Sequence, residues 1–270
     1  MKRSLFVLMA AAFSFAACSK KDTPGDITVP EKEWLLDRIV NEEDSVQLFY
    51  NGDATVKQFA RFGKAYGWND STRLEYANGK VARFLLYEVE GGTRLDRVFT
   101  YNGDQLVRID YYNFVDATEI AVTDHDSLVY DNGKLAECHH INGDYRNSFS
   151  VYTWENGNIV KEEQFSVVAG PPVADLVITY TYNEKPGLSA SIKGNFAFLF
   201  YQDDYTFLSA NALEKAEARY ASGEALAFRR TVEYTYTTEG LLSTAVVTDE
   251  DMEEDETTIL HNSYTFIEKN

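Results

Sequence analysis

The sequence predicts an all-β protein: an antiparallel meander of about sixteen strands in consecutive hairpins, forming a strongly bent sheet that is open or closed into a barrel. Three observations predict it. A short unit, an aromatic residue followed by Asn-Gly and then an aliphatic residue, recurs along the 270 residues. Its glycines stand at 52, 79, 103, 133, 157, 187 and 240, which leaves gaps of 24 to 30 residues and a last gap of 53. The segments between turns are rich in Tyr, Val, Thr, Phe and Ile and alternate polar with apolar, as half-buried antiparallel strands do. A period of this size is the first property a fold must satisfy. Eight turn sites, one of them a degenerate copy in the long gap near residue 213, give about sixteen strands.

The unit has a physical rationale. Asn-Gly accepts positive φ at both central positions of a type I′ turn, whose twist matches that of the strands it joins. In "YDNGKL" the turn is Asn132-Gly133, and the pair beyond Asp131 and Lys134 is Tyr130 with Leu135. The same separation recurs at Tyr76–Val81 around Gly79, Tyr101–Leu106 around Gly103, Trp154–Ile159 around Gly157 and Tyr236–Leu241 around Gly240. Each unit is therefore expected to be a hairpin closed by an aromatic–aliphatic cross-strand pair, contributing about 0.2–1 kcal/mol. "YNEKPGL" from Tyr182 is a weaker copy. Residues 209–228 hold Ala, Leu, Glu and Lys that favour helix, with Leu213, Ala216 and Tyr220 on one helical face. The phase of the repeat asks instead for strands there, with a turn near Ser222-Gly223, and strand is the expectation.

The chain begins "MKRSLFVLMAAAFSFAACSKKD". Lys2 and Arg3 form a basic n-region, and Leu5 to Ala17 is an apolar run too short to span a bilayer but suited to a signal-peptide core. Phe15-Ala16-Ala17-Cys18 resembles the lipobox of bacterial lipoproteins, with Phe15 in place of the usual Leu. This predicts a signal peptide over residues 1–17, a lipidated flexible tether over 18–30 and a single β-meander domain over 31–270. The resemblance implies an acyl anchor on Cys18 and, with Ser19 after it, the outer membrane; which side of that membrane the domain faces stays open. With Cys18 lipidated, Cys138 is the one remaining thiol of the two cysteines, so no intrachain disulfide is expected. The formal charge of −18 becomes more negative when Lys2 and Arg3 are removed. A chain so acidic is not expected to bind nucleic acid.

Hairpins with Tyr, Asn-Gly and Leu behind a lipobox resemble a family of Gram-negative lipoproteins of unknown function with a porin-like β-meander fold. They are loosely similar as well to the tyrosine–aspartate repeats of secreted shell-forming toxins. The resemblance spans roughly residues 34–268 and supplies no catalytic residues. A membrane barrel needs an outer band of apolar residues at alternate positions. Here "LVRIDYY" carries Arg108 and Asp110, and "IVKEEQF" carries Lys161, Glu162 and Glu163. A soluble barrel on a lipid tether is the expectation.

Candidate chemistry is sparse. If the register set by Asn132-Gly133 persists, His125 faces His140, Ser127 faces Cys138 and Asp126 faces His139. His125, Cys138 and His140 would then share a face and could hold Zn²⁺ or Cu. A single bulge would scatter them, and neither a metal nor another cofactor is expected. The run "TDEDMEEDETT" over 248–258 lacks the glycine of an EF-hand loop and reads as a solvated hairpin loop. A nucleophile elbow, a phosphate-cradling loop and a zincin helix are all missing from the sequence. The function expected is a non-catalytic envelope lipoprotein that binds or scaffolds, with a glycan or another envelope protein as partner. A carboxylate-dependent hydrolase of envelope or dietary glycans and a purely structural envelope domain are the alternatives.

Overall fold

The structure is a computed structural model that describes residues 33–63, 69–88, 92–115, 119–143, 145–167, 170–191, 205–223 and 225–269. The expected signal peptide, Cys18 and the tether lie outside the described residues. The strands are β1 (Trp34–Val40), β2 (Asp44–Tyr50), β3 (Val56–Gly63), β4 (Asn69–Ala77), β5 (Lys80–Glu88) and β6 (Gly92–Asn102). Then come β7 (Gln105–Val115), β8 (Glu119–Asp131), β9 (Lys134–Asn142), β10 (Tyr145–Glu155) and β11 (Asn158–Ser166). β12 (Val173–Pro186), β13 (Asn211–Tyr220), β14 (Leu226–Tyr236), β15 (Leu242–Asp251) and β16 (Glu256–Glu268) complete the set. Each strand pairs antiparallel with the next, and β16 pairs with β1, so the sheet closes into a barrel. Closure removes the two free edges that an open meander would expose. Among the described residues, short 3₁₀ segments at Leu188–Ser191 and Tyr205–Leu208 lie between β12 and β13.

The hairpin turns form as their residues dictate. Asn132 and Gly133 have φ of 49° and 80°, and Asn156 and Gly157 have 48° and 84°, the double positive φ of a type I′ turn. Tyr76 pairs with Val81, Tyr101 with Leu106, Tyr130 with Leu135 and Trp154 with Ile159. Two units differ from expectation. Tyr236 pairs with Leu242 and not Leu241, because the turn around Gly240 widens to residues 237–241, closed by Thr237 N–H donating to Leu241 O. Tyr182 pairs with Leu213, so Gly187 is not a hairpin turn. β12 and β13 pair directly across this connection, and "NALEK", residues 211–215, opens β13 and is not a separate turn. Residues 211–220 and 226–236 are strands, as the phase of the repeat demands over local helix propensity.

Every unit also contains a β-bulge one step beyond its aromatic–aliphatic pair. Tyr130 faces Leu135, but Val129 faces Glu137, which leaves Ala136 as the extra residue. Ala82, Val107 and Val160 occupy the same place in their hairpins. An extra residue keeps the side chain three positions on, not two, on the inner face. Buried pairs three apart follow: Val56 and Phe59, Val81 and Phe84, Leu106 and Ile109, Leu135 and Cys138, Leu242 and Ala245.

Inside the barrel, Phe84 packs edge-on against Phe59 and Phe99, with ring centroids at 5.9 and 4.7 Å. The repeat aromatics line the same end, and their polar handles reach the neighbouring hairpin. Tyr76 Oη donates to Val56 O at 2.6 Å, Trp154 Nε1 to Leu135 O at 2.7 Å, and Tyr182 Oη to Ile159 O at 2.7 Å. In each case the acceptor is the aliphatic residue of the preceding unit. Ser209, in the connection between β12 and β13, docks on this end as well. Ile159 N–H donates to Ser209 Oγ, which donates to Tyr182 Oη, each at 3.0 Å.

Candidate functional site

The inward-facing pairs form layers from the turn end upward. The first layer is the aromatic–aliphatic pair. The second is apolar in most hairpins: Leu74 with Phe84, Phe99 with Ile109, Leu128 with Cys138. The third changes character around the barrel. It is Thr72 with Leu86, Ile178 with Ala218 and Val232 with Val247 on one part of the wall. From β6 to β11 it is Arg97 with Tyr111, Asp126 with His140 and Ser150 with Gln164. A polar arc therefore runs across six successive strands inside an otherwise apolar interior.

Its centre is Asp126, which is only 2 % exposed. Tyr111 Oη donates to Asp126 Oδ2 at 2.7 Å. His140 Nδ1 lies 2.6 Å from Asp126 Oδ1, and an ionised carboxylate makes that ring nitrogen the donor. Cys138 is fully buried, with Sγ 3.2 Å from Tyr205 Oη. Burial first, then the neighbouring Cys138, holds the Tyr205 phenol well above its usual pKa. Arg97 is buried with its guanidinium carbon 5.1 Å from the centre of the Tyr111 ring. One strand pair on, Glu162 accepts from Ser150 Oγ and Tyr180 Oη, both at 2.7 Å, and from Gln164 Nε2 at 2.9 Å. A buried carboxylate held this way has its desolvation offset by hydrogen bonds.

The bulge at Ala136 corrects the sequence-based grouping. His125 does not face His140; it pairs with Ile141 and Asp110, on the strand face opposite Asp126. Asp126 takes its place beside His140. Asp126, Cys138 and His140 bring one potential ligand atom each to within 4.8 Å of one another. Burial, then the charge of Arg108, lowers the His125 pKa. His139, expected opposite Asp126, faces Ser127 and stacks outside on Phe149, at 5.4 Å between centroids.

Among the described residues, two cavities adjoin these groups and the opposite wall. One of about 220 Å³ lies over the arc, lined by Tyr111, Asp124, Asp126, His140, Asn142 and Asn147 with His125 and Ile141. The other, about 330 Å³, lies under β1, β2 and β13–β16 and the 3₁₀ segments. Phe207, Tyr234, Tyr264, Leu188 and Val232 give it apolar and aromatic surface. Asn41, Asp44, Asn211, Asn262 and Arg230 give it polar groups. Arg230 is fixed by a two-pronged contact with Asp249, at 2.7 and 2.8 Å, and burial pushes the Tyr264 phenol up to about 12. The acidic run contributes only Asp249, which holds Arg230; residues 248–251 and 256–258 belong to β15 and β16, and its centre, residues 252–255, is the exposed loop between them.

Neither a protein-family model nor a curated protein sequence matches this chain. Solved structures do. The chain is similar to a porin-like protein from Bacteroides uniformis with a TM-score of 0.52 and 13 % identity, over 86 % of this chain and 96 % of that one. A porin-like protein from Bacteroides vulgatus matches at a TM-score of 0.43 and 11 % identity, over 86 % of this chain and 98 % of that one. A Tc holotoxin pore from Photorhabdus luminescens matches at a TM-score of 0.34 and 12 % identity, over 80 % of this chain and 9 % of that one. The first of these likenesses speaks for the fold.

Proposed function

We propose that this chain is a lipid-anchored protein of a bacterial cell envelope that binds a short saccharide within a water-facing barrel and does no chemistry on it. The 330 Å³ cavity carries the reading. Its volume falls in the range of small-molecule sites, and its walls combine aromatic faces with a few fixed polar groups. Tyrosine faces pack on the C–H face of a sugar ring, and Asn41, Asp44 and Asn262 match its hydroxyls as donors and acceptors.

The outer wall supports a barrel that stands in water. Arg108–Asp110, Lys161–Glu163 and the set Lys215, Glu217, Arg229 and Glu250 form ion pairs. They lie on the strand faces opposite the buried Ile109, Glu162 and Ala216. Such a wall is a poor match to lipid, which transmembrane barrels meet with an apolar band, and a wall of this kind stays at a membrane through an anchor such as Cys18. Binding is favoured over hydrolysis because Asp126 and Glu162, the buried carboxylates among the described residues, are each held by a tyrosine hydroxyl and at least one further partner. The test is calorimetric titration of the full chain with mono- and oligosaccharides. Saturable binding weakened by Asn262→Ala and Tyr264→Ala is expected, and a panel without any binder overturns the reading. Incorporation of an alkyne fatty acid, lost in Cys18→Ser, tests the anchor.

A further inference from the structure

The saccharide reading uses one side of the barrel; the polar arc on the other side points to a separate chemistry. We propose that Asp126, Cys138 and His140 form a binding site for a divalent transition ion of the Zn²⁺ class. The three residues lie on two adjacent strands, pairing at Asp126–His140 and Leu128–Cys138. Each offers one ligand atom, and all three atoms lie within 4.8 Å. Thiolate, imidazole and carboxylate together are the donor set that Zn²⁺ takes in four-coordinate sites, and three protein ligands leave one position open.

Two further observations support the assignment. The repeat makes the place of Cys138 in its hairpin an apolar one: Phe59, Phe84, Ile109, Ala216 and Ala245 occupy it elsewhere. Side chains without a sulfur fill that place in every other hairpin, so the thiol is not a requirement of the fold. The cavity of about 220 Å³ reaches Asp126 and His140 from the open side, which supplies access and room for the fourth ligand. Asp124 lines the same cavity, and its buried Oδ1 has no hydrogen-bond partner; that uncompensated acceptor adds negative potential where a cation would enter. Tyr111 Oη on Asp126 is the outer-shell contact that orients a ligating carboxylate. On binding, the ion replaces the thiol proton, and the proton that His140 Nδ1 shares with Asp126 passes to Nε2 as the ring changes tautomer. The thiol proton is released, so affinity falls as pH is lowered.

The experiment is titration of the full chain carrying Cys18→Ser, in which Cys138 is the sole thiol, with Co²⁺ as the coloured reporter and Zn²⁺ as competitor. The site gives a thiolate-to-cobalt charge-transfer absorption that saturates at one equivalent and is bleached by Zn²⁺. Cys138→Ala abolishes the absorption. His140→Gln, at a half-buried position and checked for an unchanged circular dichroism spectrum, is expected to weaken binding about tenfold or more, the least that loss of even an outer-shell partner costs. His125→Gln leaves it unchanged. Absence of the charge-transfer absorption, or Co²⁺ binding to His140→Gln as tight as to the parent, overturns the proposal. This result is independent of saccharide binding in the other cavity.

Discussion

The phenol of Tyr76 on β4 donates a 2.6 Å hydrogen bond to the backbone carbonyl of Val56 on β3. Val56 is the residue that closes the preceding hairpin by pairing with Tyr50. Tyr76 therefore does two jobs: its ring fills the space over its own aliphatic partner, and its polar end ties one hairpin to the one before. Tyr50, Trp154 and Tyr182 make the same tie, to the carbonyls of Leu36, Leu135 and Ile159, so a phenylalanine at these positions would forfeit a hydrogen bond. Tyr76→Phe keeps the ring and removes the tie, and is expected to cost about 1 kcal/mol, read as a lower urea midpoint at unchanged slope.

The turns give a paired test. Gly133 has φ +80° and Gly52 has no left-handed φ, and a Cβ at either would meet nothing within 4 Å. Sterics with neighbours are thus absent from both, and only backbone preference differs. Gly133→Ala is expected to lose about 1–2 kcal/mol, and Gly52→Ala to stay within about 0.5 kcal/mol of the parent. Thermal melts of the two variants side by side decide it.

Core truncation at Phe84 should be severe. This ring is 2 % exposed and packs on both Phe59 and Phe99, so three hairpins share the void it leaves. Phe84→Ala is expected to cost about 3–5 kcal/mol. Chemical denaturation showing a loss below about 1 kcal/mol would mean that the interior is not packed there.

Alkaline pH acts on the same aromatics. Burial is the first cause that lifts the phenols of Tyr76, Tyr101, Tyr130 and Tyr264 from 10.0 to about 12. The folded chain thus holds protons that the unfolded chain releases. Stability from these groups is complete below pH 10 and is lost as pH rises through about 12. Tyrosinate absorbance should lag behind that of a free phenol and then rise together with loss of the β-sheet circular dichroism. Ionisation of all phenols near their ordinary value with the sheet intact would contradict this.

How much of this was legible in the sequence follows from which residues carry local rules. Asn-Gly with an aromatic before and an aliphatic residue after specifies a hairpin within six residues, so the meander could be read directly. The connection between β12 and β13 could not, because Tyr182 and its partner Leu213 are too far apart to be matched by spacing. The partner of His140 is off by one residue for a definite reason: a register that runs outward from Asn132-Gly133 without a bulge places His125 there instead of Asp126. The signal was present. Val81-Ala82-Arg83-Phe84, Leu106-Val107-Arg108-Ile109 and Leu135-Ala136-Glu137-Cys138 place buried side chains three apart, a spacing that an uninterrupted strand cannot bury on one face. Tyr205, which meets Cys138 from 67 residues away, had no local signal at all.

The central claim is that the bulge at Ala136 turns Asp126, not His125, toward His140 inside the barrel. Paired cysteines test it in a chain with Cys18→Ser and Cys138→Ser, since a disulfide forms only between Cα atoms about 4.4–6.8 Å apart whose side chains face one another. Under mild oxidation Asp126→Cys with His140→Cys should lose both free thiols intramolecularly, and His125→Cys with His140→Cys should keep them. Closure of the 125/140 pair while the 126/140 pair stays reduced would show that the register runs on without a bulge, and the interior site described here would not exist.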